Sequence, residues 1–341
     1  MTPAISIVIP ACNRLTPLRF TLRSAAAALR QLDGSGEILL VDDGSEPSLS
    51  EQLAGFDSGH PIRHLRQANQ GSIAARDHGR RLARGEYVQF LDSDDGVHPD
   101  KFSRQLEQLR TTGADVSYCD IARATPEPDH AAHDYHPAQT YAEETDAARF
   151  YIRVQPLPHS PIFRRSYLDA ALAHPMVPAE RRFDPAGDVW LYFNLAPFAA
   201  KVAKLAAPLA LVVPHDDARY SHHWEKLGIA ALRLMEAFFE HGERRPDTEH
   251  ARAVLGEAAF DSWRRLPYDF NGEYDSRMLA LWRRAPRGST PPGGRGFQAL
   301  AALLGPVKAG RLLRRWRGQP YAASRTLPAG EVERLLHSPS P

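Results

Sequence analysis

Cysteine is nearly absent: Cys12 and Cys119 are the only two in 341 residues. Two thiols make no disulfide framework, and without a CxxC pair they make no zinc site. They read as small buried hydrophobes, and a reducing compartment suits them. Long apolar runs are missing too. Residues 202–213 come nearest, but Lys204 and Pro208 interrupt them, well short of the ~18 residues that mark a membrane span. The opening MTPAISIVIPACNR has no basic leader and too short an apolar stretch for a signal peptide. A cytoplasmic protein is expected, with peripheral contact at the inner face of the membrane left open. Neither charge sign is in excess: 42 Lys and Arg face 41 Asp and Glu. The molecule as a whole is therefore no electrostatic trap for nucleic acid. There is no internal repeat. What remains, 43% apolar and 24% charged residues, is the composition of an ordinary globular chain with room for one large or two modest domains.

The first third alternates strand and helix signals. Residues 5–9 (ISIVI) form a β-branched run closed by Pro10, read as a buried strand. Residues 15–32 set Leu15, Leu18, Leu22, Ala25, Ala26 and Leu29 at helical spacing before Gly34 and Gly36 end the pattern. Residues 37–41 (EILLV) are a second strand running into Asp42-Asp43-Gly44-Ser45, and residues 62–65 a third. Residues 71–83 read as a helix with a small-residue face, capped by Gly85. Residues 86–91 (EYVQFL) are a fourth strand, ending in Asp92-Ser93-Asp94-Asp95. This alternation predicts an α/β fold, a mostly parallel central sheet flanked by helices. Ligands of such sheets bind at the carboxyl ends of the strands, so residues 11–14, 42–45 and 92–95 are expected to meet in one cleft. Residues 123–139 lack periodicity and read as a loop into a second half. From Trp224 onward the pattern is helical, residues 285–296 are a Pro/Gly linker, and residues 298–316 are amphipathic and basic.

Asp92, Asp94 and Asp95 crowd three carboxylates onto one strand end, which is costly unless a cation answers them. Hard oxygen ligands suit Mg²⁺ or Mn²⁺. The competing reading is an acidic turn capping a helix. Asp42 and Asp43 admit two readings as well: contacts to ribose hydroxyls or a base N–H, or caps for their own turn.

Taken together, SIVIPACNR, EILLVDDGS, NQGSIAARDHG and GEYVQFLDSDD, in this order, closely resemble the nucleotide-binding half of the family 2 glycosyltransferases. The resemblance covers residues 4–102 strongly and 157–222 loosely. It implies a Rossmann-like glycosyltransferase-A fold and an enzyme that moves a sugar from a nucleotide-sugar donor, often UDP-linked, with inversion. Mn²⁺ or Mg²⁺ is the implied cofactor. The implied acceptor is a hydroxyl of a glycan, a lipid-linked molecule or another compound, as in bacterial surface polysaccharide synthesis. By motif position, Asp94 resembles the metal-binding carboxylate, supported by Asp92 and Asp95. Asp43 and Asp42 resemble the base and ribose contacts, Ser93 joins the nucleotide site, and Arg76 matches the arginine near the nucleotide. Pro10, Ala11 and Asn13 match the wall of the base pocket. Cys12 stands where the family usually has an aromatic residue, and Asp77 where it usually has Asn.

In the second half, RFDPAGDVWLYFNL places Asp188 at the position of the catalytic base, with Gly187 where the family usually has a second acidic residue. A cap for the helix starting at Val189 is the alternative role for Asp188. His159 and Ser160, in HSPIFRRSYL, with Asp95 and Trp190, fall in the donor-sugar or acceptor region. His215 falls where many members place a histidine near the metal. The expected organisation is a catalytic domain over 1–222 (nucleotide-sugar half 1–120, acceptor half 121–222). A helical extension over 223–284, the linker, and a basic helical segment over 297–341 complete it. Three rivals stand beside this. A receiver domain requires a lysine at a later strand end, and none occurs between Lys101 and Lys201. A haloacid-dehalogenase-like phosphohydrolase would use Asp92 and Asp94 but places that motif on its first strand. A non-catalytic sugar-nucleotide-binding protein differs only at Asp188.

Overall fold

The computed structural model describes residues 2–32, 35–126, 132–214, 223–286 and 292–337. It contains two compact units. One comprises Met1–Pro175 with Ala179–Asp217, the other Met176–Pro178 with Ala218–Pro341.

The first unit is built on one sheet. β1 (Ile5–Ala11) lies between β2 (Gly36–Asp43) and the later β4 (Tyr87–Phe90), parallel to both, and β3 (Ile62–Gln67) is parallel to β2. Ile5, Ile7, Val8 and Ile9 are all fully buried, because helices cover both faces and the strand has no solvent side. Leu18, Leu22 and Leu29 of α1 (Leu15–Arg30) pack with Ile5, Ile7 and Ile9, as the 3.6-residue spacing predicted. After the short α2 (Leu49–Gln52), α3 (Ser72–Leu82) takes the other face. There Gly79 lets the helix come close: a Cβ at this position would lie 2.3 Å from a Val8 methyl.

Beyond β4 the sheet becomes mixed. β5 (Asp95–Val97), β6 (Val116–Pro126), β7 (Ala132–Gln139), β8 (Ile162–Arg164) and β9 (Val202–Val212) complete the order β3-β2-β1-β4-β8-β6-β9-β5, with β7 paired on β6. β8 is antiparallel to β4 and β6, while β6 and β9 are parallel. The first half is thus wholly parallel, whereas the second half mixes the parallel β6–β9 pair with antiparallel ones. α4 (Lys101–Thr112) packs on β6 and β9 and α6 (Arg165–Ala171) on β8, while α7 (Gly187–Leu195) packs on α3 and α6; α5 (Ala147–Arg149) completes the unit.

Residues 123–139 correct the sequence reading. β6 and β7 form an antiparallel pair where a loop was expected, on either side of residues 127–131, which lie outside the described residues. β7 is paired only to β6, and its Pro137 sits beside a register shift. Edge strands and bulges are where a sheet accepts proline, so composition misled there.

The second unit is helical: α8 (Trp224–Gly242), α9 (Glu249–Arg265), α10 (Gly272–Arg284), α11 (Arg295–Leu304), α12 (Pro306–Arg317), α13 (Tyr321–Ser324) and α14 (Glu331–His337). Helices on both sides of the expected linker belong to this one unit. No helix among the described residues is long and apolar enough to cross a membrane.

Candidate active site

The carboxyl ends of β1, β2 and β4 lie side by side, and their loops are tied together. Asp43 accepts hydrogen bonds from Gln67 Nε2, from the Gln70 N–H and from the Gly71 N–H, each at 2.9 Å. It therefore fixes the loop that starts α3. Asp42 accepts from the N–H groups of Ser45 (2.8 Å) and Leu49 (2.9 Å). Of the two readings open for this pair, the cap geometry is the one visible in the chain itself, and both residues are buried. Exposed Asn13 has a left-handed backbone, φ 51°. Its N–H donates to Ser45 Oγ and its side-chain oxygen accepts from the Glu46 N–H, so the β1 and β2 loops share one frame. Pro10 is part-exposed and Ala11 buried beside it.

The acidic end of β4 is answered by cations. Arg76, projecting from α3, meets Asp92 at 2.6 Å, and Arg14, from the β1 loop, meets Asp94 at 2.6 Å. Buried His159 meets Asp95 at 3.3 Å. The desolvation cost predicted for clustered carboxylates is thus met at Asp92 and Asp94 by two separate arginines, with the His159 ring beside Asp95. Burial opposes ionisation of Asp92, but the Arg76 guanidinium outweighs it and holds this carboxyl below its usual range. Arg14 was passed over in the sequence; its signal was a cation at one strand end facing acids at another.

Asp188 stands at the start of α7, where its carboxylate accepts from the Val189 N–H at 2.9 Å. Its charge interacts with those of Arg76 and Asp92. Burial raises its carboxyl above the ordinary aspartate value, Arg76 lowers it in part, and Asp92 raises it again. One arginine therefore faces two carboxylates with opposite tendencies, Asp92 held ionised and Asp188 prone to take a proton.

The segment before α7 achieves this placement through residues that sequence reading missed. Asp184 accepts from the Ile73 N–H at 3.0 Å and from Ser72 Oγ at 3.2 Å. This supplies the N-terminal cap that α3 lacks at its own N-cap position, which is Gly71. Gly71 is required: φ is 94°, and a Cβ would fall 1.7 Å from Asp184 Oδ2. Arg181 donates to the Asn69 carbonyl and side-chain oxygen at 2.9 and 2.8 Å. Gly187 packs on the same helix, with its Cβ position 2.9 Å from Ser72 Oγ and 3.1 Å from Arg76 Nη1. A side chain at this position would press on Ser72 and Arg76.

Other expected residues have different surroundings. Ser160 is fully buried, donating to the Cys119 carbonyl at 2.6 Å and accepting from the Cys119 N–H at 3.1 Å. It joins β6 to the segment before β8 and does not line a donor or acceptor surface. His159 is likewise fully buried and reaches the site only through Asp95. Trp190 and Ser93 are nearly buried, and His215 lies outside the described residues. Among the described residues, no group of three His, Cys, Asp or Glu side chains is arranged to hold a metal ion.

The model of the glycosyl transferase family 2 matches residues 6–172, spanning β1 to α6 and so every acidic strand end described above. EpsH of Bacillus subtilis (strain 168) is 31% identical over 245 residues, 69% of this chain and 68% of EpsH. Chondroitin synthase of Escherichia coli is 35% identical over 109 residues, which cover 32% of this chain and 16% of that one. Among solved structures, S. aureus TarS 1–349 in complex with UDP-GlcNAc resembles this chain with a TM-score of 0.63 at 16% identity, covering 93% of both chains. At that identity the likeness establishes the fold, the curled, mixed α/β sheet of glycosyltransferase-A proteins with a helical C-terminal part. Motifs, fold and a relative matched over two thirds of its length agree: this chain belongs to the family 2 glycosyltransferases, and it is a glycosyltransferase.

Proposed function

We propose that the enzyme transfers a sugar, with inversion, from a UDP-linked donor to an acceptor hydroxyl on a glycan or lipid-linked molecule, with Asp188 as the general base. The observation that carries this reading is the position of Asp188 beside the Arg76–Asp92 pair, with its carboxyl raised by burial. A base works best when its pKa approaches the working pH, and two carboxylates with separated tendencies divide the roles between them. The donor assignment is supported by TarS, whose similar fold was solved with UDP-GlcNAc. Bacterial polysaccharide synthesis is supported by chondroitin synthase among the relatives.

The β1 and β2 loops, locked by Asn13, Ser45 and Asp43, form the base and ribose wall. Cys12 stands in that wall where the family has an aromatic ring. Burial, with Asp43 and Asp42, pushes its thiol up, so Cys12 brings a neutral surface and no stacking face. Arg76, kept charged by Asp92, places positive charge where a diphosphate leaving group would need it. Asp188 withdraws the acceptor proton as the hydroxyl attacks the anomeric carbon from the face opposite the leaving group, in a single displacement. No covalent intermediate is required.

The donor chemistry at the end of β4 fits a divalent cation. Asp94 and Asp92 offer hard oxygens, and Mg²⁺ is commonly held by one or two carboxylates with substrate phosphates and water completing the set. Asp94 with Asp92 would hold the ion, and the ion would neutralise the departing diphosphate. Arg14 and Arg76 hold these carboxylates in place.

Asp188→Asn separates catalysis from binding. Turnover is expected to fall about 10²- to 10⁴-fold, with UDP-sugar affinity by calorimetry unchanged from the parent. Undiminished turnover would remove the base. Absence of turnover in the parent, with donor binding intact, would favour a non-catalytic sugar-nucleotide-binding protein.

A further inference from the structure

The overall charge balance conceals a strong local imbalance. Residues 276–330 contain eleven Lys or Arg and no Asp or Glu. α11 and α12 lie within this stretch. One side of α12 is packed in its own unit. Ala309 is fully buried, Gly310 lies so close to Trp263 that a Cβ would be 2.5 Å from the ring, and Arg314 is 3% exposed. Arg314 pairs with Asp275 at 2.7 Å, donates to the Leu266 carbonyl, and sits over the Trp263 ring. α11 is held by Phe297, whose ring lies under the Arg264 guanidinium at 4.1 Å.

The other side is exposed. Lys308, Arg311, Leu312, Arg315 and Trp316 are exposed, at the i, i+3, i+4, i+7, i+8 spacing of one helix face. Trp316 is 74% exposed, Leu312 51%, and Leu303 at the end of α11 83%. Among the described residues, most of the large exposed hydrophobics thus fall on these two adjacent helices. A solvated cationic face has no need of exposed Trp and Leu, and a protein-binding face rarely excludes acids over so long a stretch. Apolar side chains fringed by basic ones, with Trp at the margin, match the boundary between anionic headgroups and acyl chains.

We propose that the α11–α12 face docks on an anionic phospholipid surface, with Leu303, Leu312 and Trp316 entering the interface and Lys308, Arg311 and Arg315 meeting headgroup phosphates. The surface is independent of the catalytic assignment.

The test uses the full chain with vesicles of phosphatidylcholine, with and without phosphatidylglycerol. Sedimentation with the anionic vesicles is expected at physiological salt, with a blue shift of tryptophan emission that disappears in Trp316→Phe. Leu312→Ser/Trp316→Ser and Arg311→Glu/Arg315→Glu should each weaken vesicle partition at least tenfold, with the thermal midpoint and UDP-sugar binding unchanged because these side chains are exposed. Failure to sediment would overturn the proposal, as would binding indifferent to Leu312→Ser/Trp316→Ser. Two further results would also overturn it: equal affinity for DNA with the same dependence on Arg311 and Arg315, or a dimer that the Leu312/Trp316 variant converts to monomer without any vesicle binding.

Discussion

Asp188 and Asp184 lie four residues apart and do different work. Asp184 caps a helix from outside it, so Asp184→Ala leaves the Ile73 N–H without its acceptor and should cost about 1–2 kcal/mol, read as a lower denaturation midpoint. Asp188 is a carboxyl whose folded-state value is raised. The unfolded chain holds its proton less tightly than the folded one, so this group's contribution to stability grows as pH falls and is unfavourable at neutral pH. Asp188→Asn removes that unfavourable term. Loss of transfer should therefore accompany a higher thermal midpoint at pH 7, whereas a lower midpoint would mark Asp188 as a structural cap. The place of Asp188 at a helix start was legible in the sequence, but the capping role of Asp184 was not. A carboxylate that caps a helix more than a hundred residues earlier leaves no local pattern, and only the bare glycine start of α3 hinted that a cap was owed from elsewhere.

α3 joins the halves of the site: its first turn receives Asp43 and Asp184, and Arg76 reaches Asp92. Gly187 is packed so closely on it that restoring the family's second acidic residue should do harm. In Gly187→Glu, the new side chain must displace Ser72 or Arg76, and kcat/KM should fall at least about tenfold, the size of a lost positioning contact. An unchanged kcat/KM would show that α3 has slack at this point. The elements of the first half were readable because β1, β2 and β4 are short apolar runs and α1 keeps a clean helical stripe. The strands after β4 were not. β5 and β8 are three residues long and owe their strand form to partners far away in sequence, and β7 carries the His and Pro of an edge.

At the scale of the molecule, a sheet unit that carries the acidic strand ends accompanies a helical unit in which residues 276–330 carry basic charge and no acidic charge. The family motifs disclosed the first, because several ordered segments constrain one another. They did not disclose the second, since an exposed helix face looks like a packed one until its neighbours are known. Ligand linkage offers a check on the whole chain: a UDP-sugar with Mn²⁺ at about 100 times its Kd should add about 2.7 kcal/mol of apparent stability. Asp94→Ala should lose most of the shift, and an undiminished shift with EDTA present would count against the cation. The most direct test of the central claim is the pH profile of kcat/KM, which reports groups of the free enzyme. The claim predicts an acid limb above the ordinary aspartate range, set by a buried Asp188 that must lose its proton before it can act. Activity that stays flat on acidification down to that ordinary range would contradict it.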